Sequence, residues 1–112
     1  RAGGGCVLVT SVALWNIHLF LFASVGVARD LSQLQTDAVA TGIGQVLGNK
    51  GGVAVGVTYR ERTRLAFVTS HLAARASRIK ARAANYSSIV AGLALGGKGV
   101  DFLHQFDHVF WF

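Results

Sequence analysis

From Cys6 to Ala28 the chain runs for 23 residues without Asp, Glu, Lys or Arg, between a basic, glycine-rich lead-in, Arg1 to Gly5, and Arg29. An uncharged run of that length can cross a bilayer as a helix. Its composition points elsewhere. Thr10-Ser11 and Asn16 divide it into strand-length pieces rich in Val and Phe, so it reads as two adjacent buried strands near residues 6–12 and 15–23, with no transmembrane segment. Apolar residues fall on both faces of Ile17 to Phe22, which predicts a central strand covered on both sides. His18 is expected there as a core or strand-end histidine.

The remaining elements follow from spacing. Arg29 to Thr36 carries leucines three residues apart and reads as a short helix or turn. Val53–Tyr59 and Arg64–Ser70 read as strands joined by the charged turn Arg60-Glu61-Arg62-Thr63, a hairpin. Arg60, Arg62 and Arg64 there form either an anion patch or a solvated tip. A helix is predicted from about Ala74 to Leu95, with Ile79, Ala83, Tyr86, Val90 and Leu93 on one face and Arg75, Arg78 and Arg82 on another. Gly96 to Gly99 is a loop, and Asp107 to Phe112 starts another buried strand.

At 112 residues the chain makes one domain at most, and the strand running to Phe112 is expected to belong to a longer domain. The net charge of +6 favours an anionic partner, whether phosphate groups, nucleic acid or an acidic membrane surface, although it also serves solubility in a chain that is 52% hydrophobic. The single Cys6 excludes an internal disulfide framework and fits a reducing compartment.

Thr41 to Val53, T-G-I-G-Q-V-L-G-N-K-G-G-V, holds five glycines, an asparagine and a lysine between apolar runs. Glycines let a backbone approach a ligand closely, and an amide and an ammonium supply donors suited to phosphate. A solvated loop has the same composition. Two familiar phosphate signatures fail: Asn49 separates Gly48 from Lys50 and Gly51 replaces the hydroxyl residue of a Walker loop, and Gly42, Gly44 and Gly48 miss the dinucleotide spacing by one residue. Among the four histidines, His71 closes a strand, at the sheet rim where active sites of layered folds gather, and is a better chemical candidate than His18, His104 or His108.

Four segments in register, Gly48-Asn-Lys-Gly-Gly-Val53, Phe67-Val-Thr-Ser-His-Leu-Ala-Ala74, Lys80-Ala-Arg-Ala-Ala-Asn-Tyr86 and Phe106-Asp-His-Val-Phe-Trp-Phe112, resemble the middle of an inositol polyphosphate 5-phosphatase catalytic domain. The resemblance extends from about Cys6 to Phe112. It implies the DNase I-like endonuclease/exonuclease/phosphatase fold, an α+β architecture in which a two-sheet β-sandwich is flanked by helices, with residues 1–112 as its central part. It also implies that Asn49 and Lys50, with Gly48 and Gly51, bind phosphates of the inositol head group, and that His71 hydrogen-bonds the scissile phosphate. Arg75 and Arg82 become candidate phosphate or cleft residues. Mg²⁺ would polarise the phosphoryl group, with its ligands outside this segment, and no metal ligand is assigned within it.

Departures from the family pattern are specific. The usual Arg-Asn pair appears as Arg82-Ala83, and Arg75 stands where the family often has Gly or His. No segment matches the upstream Gln-Glu metal motif, and the downstream Gly-Asp-Leu-Asn and Ser-Asp-His segments are missing. The expectation is therefore a Mg²⁺-dependent phosphatase that removes the 5-phosphate from inositol phosphates or phosphoinositides, with residues 1–112 inactive alone. A cytoplasmic, membrane-peripheral location is expected, with no nucleic-acid partner. Two alternatives stay open: a nuclease or phosphodiesterase of the same superfamily, and a non-catalytic basic module that binds acidic lipid or nucleic acid.

Overall fold

The computed structural model describes residues 4–41, 49–97 and 99–112. Strands β1 (Cys6–Leu14) and β2 (Ile17–Ser24) form a hairpin whose turn places Trp15 at a φ of 50°. A single helical turn, α1 (Val25–Ala28), is started by Ser24, whose hydroxyl accepts from the Val27 amide. It leads into β3 (Leu31–Ala40), β4 (Gly51–Tyr59) and β5 (Thr63–His71), and the chain then crosses through α2 (Ile79–Gly92) and a 3₁₀ turn at Phe102–His104 into β6 (His108–Trp111). The strands make a two-stranded sheet, β1-β2, and a four-stranded sheet, β3-β4-β5-β6, in which only the β5–β6 pair is parallel.

The side chains of β4 explain the layering. Val53 and Val55 turn toward the hairpin and pack with Ile17 and Leu19, while Ala54, on the other face, joins Ile89, Leu93, Leu95 and Phe102. Positions on the helix side are small because neighbours lie on the backbone. A Cβ at Gly52 would stand 2.9 Å from Ile89 Cγ2, and one at Gly56 would stand 2.9 Å from Phe106 Cζ. Branched residues toward one sheet and small ones toward a helix produce a strand buried on both faces. The two-sheet α+β sandwich predicted from the sequence is present.

Several local expectations are corrected. The doubly covered strand is β4 and not Ile17–Phe22, where Ile17 and Leu19 point inward while Phe20 and Phe22 are 56% and 59% exposed. His18 stacks on Phe20 along that outer face, 6.2 Å between ring centroids, so of the two expected places it takes the strand end, as the second residue of β2, and not the core. Arg29–Thr36 is not a helix, since residues from Leu31 pair with β4. A bulge between Ser32 and Gln35, with Gln33 at a φ of 51°, interrupts the alternation, and Leu34 within it is exposed. Helix α2 starts five residues later than Ala74, and its buried residue is Ile89; Ile79 is 69% exposed. Among the described residues no helix is long and apolar enough to cross a membrane.

Candidate active site

Antiparallel pairing sets His71 opposite Gly51, so the last residue of β5 and the entry to β4 share one rim. His71 Nδ1 lies 2.7 Å from the Asn49 carbonyl oxygen and Nε2 lies 2.8 Å from Lys50 Nζ. A carbonyl only accepts and an ammonium only donates, so the ring is the Nδ1–H tautomer, donating to Asn49 and accepting from Lys50. Asn49 and His71 are exposed and Lys50 is half-buried, which leaves the pair open to an incoming anion. Gly48 lies outside the described residues. Gly51 is where the backbones crowd: a Cβ there would run into the Val39 carbonyl oxygen and approach Leu14 Cδ2 to 2.8 Å.

The two arginines have different surroundings. Arg75 is exposed and sits at a φ of 74°, a left-handed conformation in which glycine is at ease. Arg82, a candidate phosphate contact, instead donates through Nη1 to the carbonyls of Arg75 (2.5 Å) and Ala73 (3.4 Å) and through Nη2 to that of Ala76 (3.3 Å). Asn85, which sequence reasoning left without a role, accepts from the Ala73 amide at 2.9 Å. It supports the loop from two residues beyond Ala83. The only advance signal was its place in the Lys80–Tyr86 segment.

Three of the five carboxylates are committed elsewhere. Asp37 accepts from the amides of Ala38 and Ala94, Asp107 from the Arg64 amide, and Asp30 from Arg60. Among the described residues no three His, Cys, Asp or Glu side chains are grouped to hold a metal. The donor set at the rim, an ammonium, an imidazole and a carbonyl, does not fit Mg²⁺, which takes hard oxygen ligands in octahedral geometry. At the far end of the β4–β5 hairpin, about 30 Å away at strand rise, Arg60 pairs with Asp30 at 3.2 Å and lies over Tyr59, and Arg64 lies over Phe106. The hydrogen bond to Asp30, with the charges of Tyr59 and Asp30, raises the Arg60 pKa above its usual value. These contacts make the hairpin tip a local surface network, remote from the His71 rim.

Strand β6 reaches the same rim. The Trp111 indole N–H donates to Ser70 Oγ at 2.9 Å, next to His71, and the ring packs on Tyr86 with 4.9 Å between centroids. Replacing Trp111 by Phe keeps an aromatic ring and removes the donor. Denaturant unfolding should register a loss of about 1 kcal/mol.

The sequence model for endonuclease/exonuclease/phosphatase family 2 matches residues 3–112. The chain is 40% identical over 102 residues to human phosphatidylinositol 3,4,5-trisphosphate 5-phosphatase 1, covering 88% of this chain and 8% of that protein. With human phosphatidylinositol 4,5-bisphosphate 5-phosphatase A it shares 36% identity over 106 residues, 95% of this chain and 10% of that protein. Among solved structures, the inositol polyphosphate 5-phosphatase domain of spsynaptojanin, in complex with inositol (1,4)-bisphosphate and calcium ion, superposes with a TM-score of 0.84 at 33% identity, over 99% of this chain and 31% of that one. The chain thus spans about a tenth or less of the curated relatives' length and under a third of the solved domain. A match from residue 3 to 112, a span that includes Lys50 and His71, means that the chain belongs to endonuclease/exonuclease/phosphatase family 2.

Proposed function

We propose that the full-length protein carrying this chain removes the 5-phosphate from inositol polyphosphates or phosphoinositides. The observation that carries this reading is the Lys50–His71 pair, 2.8 Å apart at one rim, in a chain similar throughout to 5-phosphatases. An anionic phosphate oxygen arriving there competes with His71 for the Lys50 ammonium. Lys50 then donates to the phosphate, and His71, freed from that contact, donates to the same oxygens once its Nε2 carries a proton. Positive charge fixed where negative charge builds up favours the transition state. Asn49 and Gly51 shape the rim, Asn49 through its carbonyl on Nδ1 and Gly51 by letting β3 come close.

In this reading the cation is Mg²⁺ and its ligands come from segments other than residues 1–112, because among the described residues no three His, Cys, Asp or Glu side chains are grouped to hold a metal. Turnover accordingly needs those segments. The net charge of +6 suits an enzyme that works peripherally at an acidic cytoplasmic membrane face.

The test is phosphate release by the purified full-length protein from an inositol phosphate with a 5-phosphate and from its counterpart lacking that group, beside a plasmid-nicking assay. Release from the 5-phosphorylated compound alone is expected. Nicking without phosphate release would replace this reading with a nuclease.

A further inference from the structure

Between His71 and the start of α2 at Ile79 the chain has neither helix nor strand. Besides the Arg78 amide on the Arg75 carbonyl and Leu72 against the core, this loop is held by side chains of α2. Arg82 donates to three of its carbonyls, those of Ala73, Arg75 and Ala76, and Asn85 accepts from its Ala73 amide. Residues three apart share a helix face, so both side chains reach back together over the loop.

The charge placement argues that this contact is not there for the helix. Helix α2 begins at Arg78 without a side-chain cap and has no acidic residue in its first turn. Arg78, Lys80 and Arg82 thus put positive charge at the positive end of the helix dipole. That arrangement works against α2. What Arg82 gains is the loop, since both terminal nitrogens are engaged with its carbonyls, and the loop joins directly to the residue that touches Lys50 and Asn49. A planar guanidinium can serve three carbonyls at once, whereas a lysine ammonium at the same place is a single point donor.

We propose that Arg82, assisted by Asn85, is a positioning residue: it clamps residues 72–78 so that His71 is presented to the phosphate in one geometry, and it does not touch the substrate. The kinetic part rests on the phosphatase reading above. An error of about 1 Å in a reacting group costs up to roughly 100-fold in rate, so losing the clamp should be visible.

The experiment uses the full-length protein and its Arg82→Ala, Arg82→Lys and Asn85→Ala variants, assayed on inositol phosphates carrying two and three phosphates, with amide hydrogen exchange followed over residues 72–78. Arg82→Ala should lower kcat/KM by about 10- to 100-fold, by the same factor on both substrates. Arg82→Lys should recover only part of that loss. Asn85→Ala should act in the same direction more weakly, and non-additively with Arg82→Ala. Exchange at the Ala73 and Arg78 amides should accelerate in Arg82→Ala while strand β4 stays protected. A loss that grows with phosphate number would make Arg82 a direct phosphate contact and overturn the proposal, as would full rescue by lysine or unchanged loop exchange. If Arg82→Ala fails to fold, Asn85→Ala and Arg82→Lys carry the same comparison. If the wild-type protein releases no phosphate, the phosphatase reading fails, and the exchange result still decides whether the clamp exists.

Discussion

Replacing His71 by Ala in the full-length protein is expected to lower kcat on a 5-phosphorylated inositol phosphate by about 100- to 1,000-fold, the cost of losing one preorganised group at a developing charge. The fold should not notice, because the ring is exposed and its two bonds run to Asn49 and Lys50 at the rim, outside the packed core. Lys50→Ala should behave differently. An ammonium that meets the phosphate in the ground state as well as the transition state contributes uniform binding, so the expected change is mainly a rise in KM, about tenfold, with a smaller fall in kcat. The bond between the two groups makes the double variant non-additive. Steady-state kinetics on both single variants checks this, and a His71→Ala enzyme with kcat within about threefold of wild type would remove His71 from the reaction.

The rim was legible in the sequence because it depends on local order. Gly-Asn-Lys-Gly and Ser-His-Leu are short segments at strand ends, and a hairpin turn between them fixes their register, so Asn49, Lys50 and His71 meet with no long-range information beyond one antiparallel pair. The layering is also written locally, in the alternation of Gly52, Ala54 and Gly56 with Val53, Val55 and Val57, whereas Ile17–Phe22 has the more evenly hydrophobic sequence and only one covered face. That run has the same apolar content on both faces, and only packing decides which face is covered. Arg29–Thr36 differs for another reason: leucines three apart suit a helix, whereas the bulge between Ser32 and Gln35 that accommodates them in β3 is set with the partner strand. Arg82 could not be placed from spacing because the loop carbonyls it serves have no side-chain signature. A basic residue beside a phosphate site looks the same in sequence whether it faces the ligand or the backbone.

Gly51→Val is expected to unfold or strongly destabilise the domain. Gly51 is hydrogen-bonded into the sheet between Ala40 and His71, so its strand cannot slide away from either neighbour. Even one added carbon would meet the Val39 carbonyl oxygen, Leu14 Cδ2 at 2.8 Å and Ala40 Cα at 3.2 Å. Two of those three are backbone atoms, which do not rotate out of the way, and the third belongs to the hairpin that covers β4. Overpacking of this kind costs about 1–3 kcal/mol when side chains can yield; here the expected loss is at the top of that range for Ala and beyond it for Val. Gly26→Ala is the matching control, because a Cβ at Gly26 meets nothing within 4 Å, and its denaturation midpoint should stay near wild type. The defect at Gly51 should also reach the chemistry before it abolishes the fold. Any relief of the clash must push β4 away from β3, and that movement carries Lys50 and the paired His71 with it, so the Ala variant should lose kcat/KM at temperatures where it is still folded. An Ala variant with wild-type stability would mean that β3 and β4 are not as close at Gly51 as the register requires.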